Sequence, residues 1–403
     1  MAKRAVSQLD VAGKRVLVRV DFNIPIEQGV EAIASYDQRL RATLPTIRYL
    51  IDQRCRVILC SHLGRPGGKE VDALRLAPVG DRLATLLGVP VKCLSETIGP
   101  GVEESVASMK PGEVALLENL RFHAGEEKND PEFAHSIAGL ADCFVMDAFA
   151  VTHRAHASTV GVPGLLPSAM GLLVQREVES LGQALDIKDE NKPLAALMGG
   201  AKVSDKIMVL ENLLGKLDHL IVGGGMSVTF LKAQGYDTGA SSIEEDRLDF
   251  AKEVLSRATQ LGVQVHLPVD VVVADRFAAD AAGVKTVLVN QVPPDWLIMD
   301  IGETTARLFA ESLGQCKTIV WNGPMGAFET PPFDEGTRQV AEAIAKATTN
   351  GAVSIVGGGD SAAAITTFEL DAQITHISTG GGASLQMLEG KSFNSVELLD
   401  NPL

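Results

Sequence analysis

The sequence predicts an α/β protein of two domains, each a parallel sheet flanked by helices, and three observations carry that expectation. Short β-branched runs alternate with helical patterns along the whole chain, as parallel strands joined by crossover helices do. The 403 residues exceed what one core usually supports, since domains run to about 150 residues each. A divider falls near 160–192: a stretch rich in Gly and Pro at 161–167, then a helical pattern over Leu172–Leu185 and a charged stretch, Lys188 to Lys192, before Pro193. The expected boundaries are therefore 1–171 for a first domain, 172–190 for a connecting helix and linker, and 191–387 for a second domain.

Expected strands in the first half are Arg15–Val20, Arg56–Cys60, Val89–Cys93, Val114–Leu117 and Cys143–Met146. In the second half they are Leu194–Met198, His219–Val222, Gln264–Leu267, Thr318–Trp321, Ala352–Val356 and His376–Ser378. Apolar residues at helical spacing predict helices over Asp205–Lys216 and Asp246–Leu261. In open sheets of this kind ligands bind beyond the carboxyl ends of the strands, where the motifs fall.

The net charge of −15 argues against a nucleic-acid or anionic-membrane surface. Five scattered cysteines without a Cys-x-x-Cys pair fit a reducing compartment, four of them as buried core thiols. The N-terminus lacks an apolar signal region, and longer apolar stretches are broken by Gly and Pro, so the expectation is a soluble, cytoplasmic protein.

The apolar runs of the first half break into charged and polar residues. Asp21 and Asn23 follow Val18-Arg19-Val20 and suit the hydroxyls of a small polar ligand, although a turn or cap role is equally open to them. Further strand ends supply Ser61-His62-Leu63-Gly64-Arg65, Glu118-Asn119-Leu120-Arg121 and Thr152-His153-Arg154-Ala155-His156, and Arg39 stands at a helix start. A lone Arg is more often a solvated charge or an ion pair, the reading kept for Arg41 and Arg48. Four strand-linked arginines with His62 and His153 point instead to a bound anion.

The second half breaks into glycines four times, at Gly199-Gly200, Gly223-Gly224-Gly225, Gly357-Gly358-Gly359 and Gly380-Gly381-Gly382. Such ends let backbone N–H groups close on phosphate oxygens, helped by helix dipoles. Lys202 and Lys206 are one helical turn apart, so both ammonium groups are expected at the same phosphates. Asp360 is placed to hold Mg²⁺ with phosphate oxygens, or to cap the following helix, and both roles can coexist. Glu329, closing the loop from Asn322 through Pro324, is suited to ribose hydroxyls.

Two standard motifs fail. Gly64 to Glu70 is one residue short of a P-loop and lacks its Ser/Thr. Gly357 to Ala362 fits Gly-x-Gly-x-x-Ala, but no ribose-binding acid follows about 20 residues on. A nicotinamide-dependent dehydrogenase and a non-catalytic nucleotide-binding protein of the same fold are the alternatives to phosphoryl transfer between two ligands.

Taken in order from residue 18 to residue 383, these motifs, with Trp321-Asn322-Gly323-Pro324 and Ser378-Thr379-Gly380-Gly381-Gly382-Ala383, resemble the phosphoglycerate kinase family. The resemblance implies two Rossmann-like domains joined by a hinge helix with a cleft between, and a C-terminal tail, about 388–403, returning to the first domain. It implies reversible transfer between 1,3-bisphosphoglycerate with Mg-ADP and 3-phosphoglycerate with Mg-ATP after domain closure, by a monomer. Asp21, Phe22, Asn23, Arg39, His62, Leu63, Gly64, Arg65, Arg121 and Arg154 would bind the acid. Arg39, Lys202, Gly380 and Gly381 would meet the transferring phosphoryl group. Gly200, Ala201, Lys206, Gly224, Ile298, Asn322, Pro324, Glu329, Gly358, Gly359, Asp360 and Ser361 would hold the nucleotide, with Asp360 on the metal. Two segments depart from the family pattern, Ala150-Val151-Thr152 and Ile301-Gly302-Glu303, and neither removes a charged ligand group.

Overall fold

The computed structural model describes residues 3–25, 30–186 and 188–401. Of the segments read above, residues 1 and 2 of the N-terminus, 187 of the linker and 402–403 of the tail lie outside these. The chain divides into two compact units, Met1–Glu179 with Ser392–Leu403, and Ser180–Lys391. The division falls inside the helix Leu172–Leu185.

The first unit holds six parallel strands, β1 (Arg15–Val20), β2 (Arg56–Cys60), β3 (Val91–Cys93), β4 (Val114–Leu116), β5 (Cys143–Asp147) and β6 (Ser168–Met170), in the order β3-β4-β2-β1-β5-β6. Strand alternation sends Val16, Val18 and Val20 into a core shared with Val57, Leu59, Ile47 and Leu50, the last two on the helix Gln38–Asp52. Strand β6 was not expected. It is three residues long behind Pro167, inside the segment read as a divider, and its pairing with β5 draws that segment into the sheet.

The tail packs within this unit. Phe393 meets Phe149 edge-on with ring centroids 5.9 Å apart, Ser395 Oγ donates to the Thr152 carbonyl at 2.6 Å, and Arg4 pairs with Asp400 at 3.0 Å.

The second unit has a parallel sheet of β7 (Leu194–Met198), β8 (His219–Val222), β9 (Gln264–His266), β13 (Thr318–Asn322), β14 (Val353–Gly357) and β15 (His376–Ile377), in the order β15-β14-β13-β7-β8-β9. Trp321, Ile319, Leu197 and Val356 pack beneath helices carrying Phe309 and Ile344. A second, antiparallel sheet, unpredicted, joins β10 (Asp270–Ala274), β11 (Val284–Leu288) and β12 (Leu297–Ile301) in the order β11-β10-β12. Four residues of β11 are exposed and the fifth partly so, so it carries no hydrophobic periodicity. Among the described residues no helix is long and apolar enough to cross a membrane.

Candidate functional site

In each parallel sheet the strand order reverses beside the first strand, and a crevice opens at the carboxyl ends there. In the first unit that crevice is a cavity of about 510 Å³ lined by Asn23, His62, Leu63, Gly64, Arg65, Arg121 and Arg154, with Ile24, Pro25 and Leu74.

Buried hydrogen bonds hold its rim. Ser61 Oγ accepts the Phe22 N–H at 2.9 Å, and Asn23 Oδ1 accepts the Gly64 N–H at 2.9 Å. Asn119 bridges two loops, accepting from the Leu63 and Arg121 amides at 3.2 and 3.1 Å and donating to the Leu63 carbonyl at 2.8 Å. Arg121 Nη1 donates to the Gly64 carbonyl at 2.7 Å. Its Nε stands 3.1 Å from Glu127 Oε1 yet makes no hydrogen bond, a matter of alignment.

Positive charge converges on this cavity. The His62 imidazole is held well below its ordinary pKa by burial first, then by Arg19, Arg121, Arg154 and Arg39. Among the described residues the buried Nε of Arg154 has no hydrogen-bond partner, an unfilled donor beside a cavity shaped for an anion. Arg39 is not in the lining; its Nη1 donates to Asp21 Oδ2 at 2.5 Å. Asp21, likewise outside the lining, also accepts the Asn23 N–H at 3.1 Å, the turn role open to it. The Phe22 side chain is fully buried in the core, and Phe22 is not in the lining. Arg41 forms an ion pair with Asp37, as expected for it.

The second unit carries a cavity of about 440 Å³ lined by Gly200, Ala201, Lys202, Gly224, Ile298, Pro324, Glu329 and Asp360 among the residues expected there. Its glycines act differently from the expectation. The Gly199, Gly200 and Gly224 amides donate to the Asn322, Pro324 and Met325 carbonyls at 3.0, 2.9 and 2.9 Å. These glycines let three strand ends interlock, and their N–H groups are already used. Free amides come instead from the start of the helix Gly359–Thr367, after Gly358 at φ +94°, because a helix's first N–H groups have no intrahelical partner. Asp360 lies in that first turn, and Ser361 Oγ accepts the Gly323 N–H at 2.6 Å. The Gly380 amide donates to Ser378 Oγ at 3.1 Å, while Gly381, φ +51°, heads the helix Gly382–Leu388.

The lysine geometry also needs correcting. No α-helix spans Lys202 and Lys206: a short 3-10 turn, Ser204–Lys206, precedes the α-helix Ile207–Leu213. Exposed Lys202 lines the cavity, whereas Lys206 Nζ donates to Asn322 Oδ1 at the end of β13. Burial lowers the Lys206 pKa, opposed by Asp205 and Asp360.

Sequence reasoning missed five residues here. Phe277, 64% exposed, and Leu297 and Met299 from the antiparallel sheet wall the cavity. Glu244 clamps the segment after Lys202, accepting from the Val203 and Ser204 amides at 2.5 and 3.2 Å and from Ser204 Oγ at 2.5 Å. Asp300 also reaches the lining; burial pushes its carboxyl up to about 8 against the N–H groups of Gly336 and Ile301.

Among the described residues no three His, Cys, Asp or Glu side chains gather as a metal cage. One exposed carboxylate, Asp360, beside Lys202 and a helix N-terminus suits a hard cation that takes its other ligands from phosphate and water.

Comparison with known proteins agrees with this arrangement. The family model described as Phosphoglycerate kinase matches residues 6–391. The phosphoglycerate kinase of Moorella thermoacetica is 54% identical over 399 residues, covering 99% of both chains. That of Synechococcus elongatus is 51% identical over the full length of both. The structure of phosphoglycerate kinase from Coxiella burnetii superposes with a TM-score of 0.87 at 43% identity, covering 98% of each chain. With its charged motifs set at the strand ends of two parallel sheets, this chain belongs to the phosphoglycerate kinase family.

Proposed function

We propose that this chain catalyses the reversible Mg²⁺-dependent transfer of a phosphoryl group between 1,3-bisphosphoglycerate with ADP and 3-phosphoglycerate with ATP. The observation that carries the reading is the division of labour between units. One holds an anion cavity lined by Arg65, Arg121, Arg154 and His62, the other a cavity bearing Lys202, Glu329 and Asp360. The acceptor is a carboxylate, ionised at neutral pH, so no general base is needed. What the reaction needs is in-line positioning and neutralised charge.

Asp21, Asn23, His62, Arg65, Arg121 and Arg154 hold the acid, with the Gly64 backbone. Lys206, Asn322 and the amides at Gly358–Ser361 hold nucleotide phosphate, Glu329 the ribose, and Phe277, Leu297 and Ile298 the base. Asp360 would ligate Mg²⁺, which neutralises phosphate charge when bound. Arg39 and Lys202, with Gly381, stabilise the phosphoryl group in transfer. Transfer requires the two bound ligands to meet with water excluded, which motivates closure about the helix Leu172–Leu185. A monomeric, cytoplasmic enzyme is the accompanying proposal. No feature of either cavity favours the dehydrogenase alternative.

A coupled assay with 3-phosphoglycerate, ATP and Mg²⁺ tests the activity. The parent is expected to turn over, and Asp360→Ala to lose turnover and require about tenfold more Mg²⁺, the loss of one charged ligand. A parent inactive with these substrates rejects the activity, and an unchanged Mg²⁺ requirement rejects the role of Asp360.

A further inference from the structure

Arg19 lies within β1 and is 1% exposed. It is not among the residues lining the anion cavity, so it does not act as one of the binding arginines. Its Nε donates to Ser158 Oγ at 2.8 Å, and its Nη1 donates to the Val20 carbonyl. Ser158 in turn donates through Oγ and N–H to Glu126 at 2.6 and 3.0 Å, and Glu126 is fully buried. The guanidinium is thereby fixed from behind by a buried Glu126–Ser158 pair. Its remaining arm, Nη2, stands 3.2 Å from His62 Nδ1.

A guanidinium has only donors. The His62 Nδ1 facing it must therefore carry a lone pair, which leaves the ring proton on Nε2. We infer that Arg19 is a positioning residue that locks His62 in the neutral Nε2–H tautomer, making the imidazole a fixed hydrogen-bond donor to an oxygen of the bound acid. The role in acid binding rests on the function proposed above; the tautomer does not.

The groups facing His62 agree. Arg19, Arg39, Arg121 and Arg154 all oppose a charged ring, and burial opposes it more strongly still. Among the described residues the carboxylate paired with His62 is Asp21, whose Oδ1 is 3.9 Å from Nδ1, beyond hydrogen-bond reach. That carboxylate is already engaged by Arg39 at 2.5 Å and the Asn23 amide at 3.1 Å. His156, next to the same Glu126 at 3.9 Å, is held down to about 4 by burial first and then by Arg121, Arg19 and Arg154. One chain of contacts runs from Glu126 through Ser158 and Arg19 to His62 and orients a donor in the anion cavity.

The test is ¹⁵N NMR of the histidine rings in the full-length protein, with Arg19→Met and Arg19→Lys for comparison. The parent is expected to show His62 protonated only at Nε2, without titration between pH 5.5 and 8.5. In Arg19→Met the ring is expected to lose its single tautomer, with Nδ1 protonation appearing in the spectrum, while burial and the remaining arginines still oppose a charged ring. The KM for 3-phosphoglycerate should rise about tenfold, as for one lost hydrogen bond to a charged group, with KM for ATP unchanged. Arg19→Lys, which retains a charged donor, should keep the Nε2–H tautomer and recover part of the affinity. An Nδ1–H or doubly protonated His62 in the parent, or an unaltered His62 spectrum in Arg19→Met, overturns the inference. The parent spectrum decides this even where Arg19→Met fails to fold. An Nε2–H ring in a protein without phosphoglycerate turnover would fault the proposed activity and leave the tautomer lock standing.

Discussion

Replacing Arg39 by alanine is expected to lower kcat by about 10²–10³-fold, the scale on which one preorganised donor to developing charge acts. Its surroundings single out this arginine. It is the second residue of the helix Gln38–Asp52, whose start is clamped by the buried Asp37 carboxylate. Burial opposes ionisation of Asp37, but Arg41 and Arg82, bonded to it at 2.7 and 2.5 Å, outweigh burial and hold its pKa low. A fixed helix start gives a fixed guanidinium. Among the described residues Arg39 has Asp21 as its ion-pair partner, and its side chain is 37% exposed, so it can take a new anion. Arg39→Lys should recover charge but not the planar fork, and therefore regain only part of the rate. Steady-state kinetics check this: kcat falls while KM for ATP stays within about twofold, as when an interaction made only in the transition state is removed. Parent-like kcat in Arg39→Ala would remove Arg39 from the reaction.

Gly323→Ala is the second substitution with a large expected effect, and it acts through backbone. Gly323 has φ +101°, a conformation an L side chain rarely adopts, and a Cβ there would lie 2.3 Å from the carbonyl carbon and oxygen of Gly199. Neither wall can rotate away, because both are main chain. Overpacking and backbone strain together cost about 3 kcal/mol. The loops after β7 and β13 must part, and the cavity proposed for the nucleotide is built on them. Thermal unfolding should show the loss of stability, and KM for ATP should rise by more than about tenfold, since 1.4 kcal/mol is already a factor of ten. KM for 3-phosphoglycerate should stay near the parent value, because its proposed residues lie in the other unit. A Gly323→Ala enzyme with parent stability and nucleotide affinity would contradict the interlocked strand ends.

The sequence made the two parallel sheets legible because each central strand is a dense apolar run that ends in a change of chemistry. Arg15–Val20, Arg56–Cys60, Leu194–Met198 and His219–Val222 match the structure residue for residue. Strands without that contrast were invisible: β11 is almost wholly solvent-facing, and β6 has three residues. The charged side chains of the anion cavity were legible from residue type and position alone. Arg19 was not, because its partner Ser158 lies 139 residues away, and local spacing cannot distinguish a buried arginine from an exposed one. The glycine runs pointed to strand ends that border the second cavity, but several of their amides serve backbone packing and the helix start at Gly359 supplies the free ones. The lysine pair was misjudged because a helical spacing was assumed where the chain forms a 3-10 turn.

Hydrogen exchange read by mass spectrometry, with each ligand added alone to the full-length protein, tests the assignment of one ligand to each unit most directly. 3-Phosphoglycerate is expected to slow exchange at 21–25, 61–65, 119–123 and 152–156, leaving the second unit unchanged. Mg-ADP is expected to slow it at 200–206, 322–329 and 357–362, leaving the first unit unchanged. Protection by 3-phosphoglycerate at the glycine-rich strand ends, or by Mg-ADP around the arginine-lined cavity, would contradict the account.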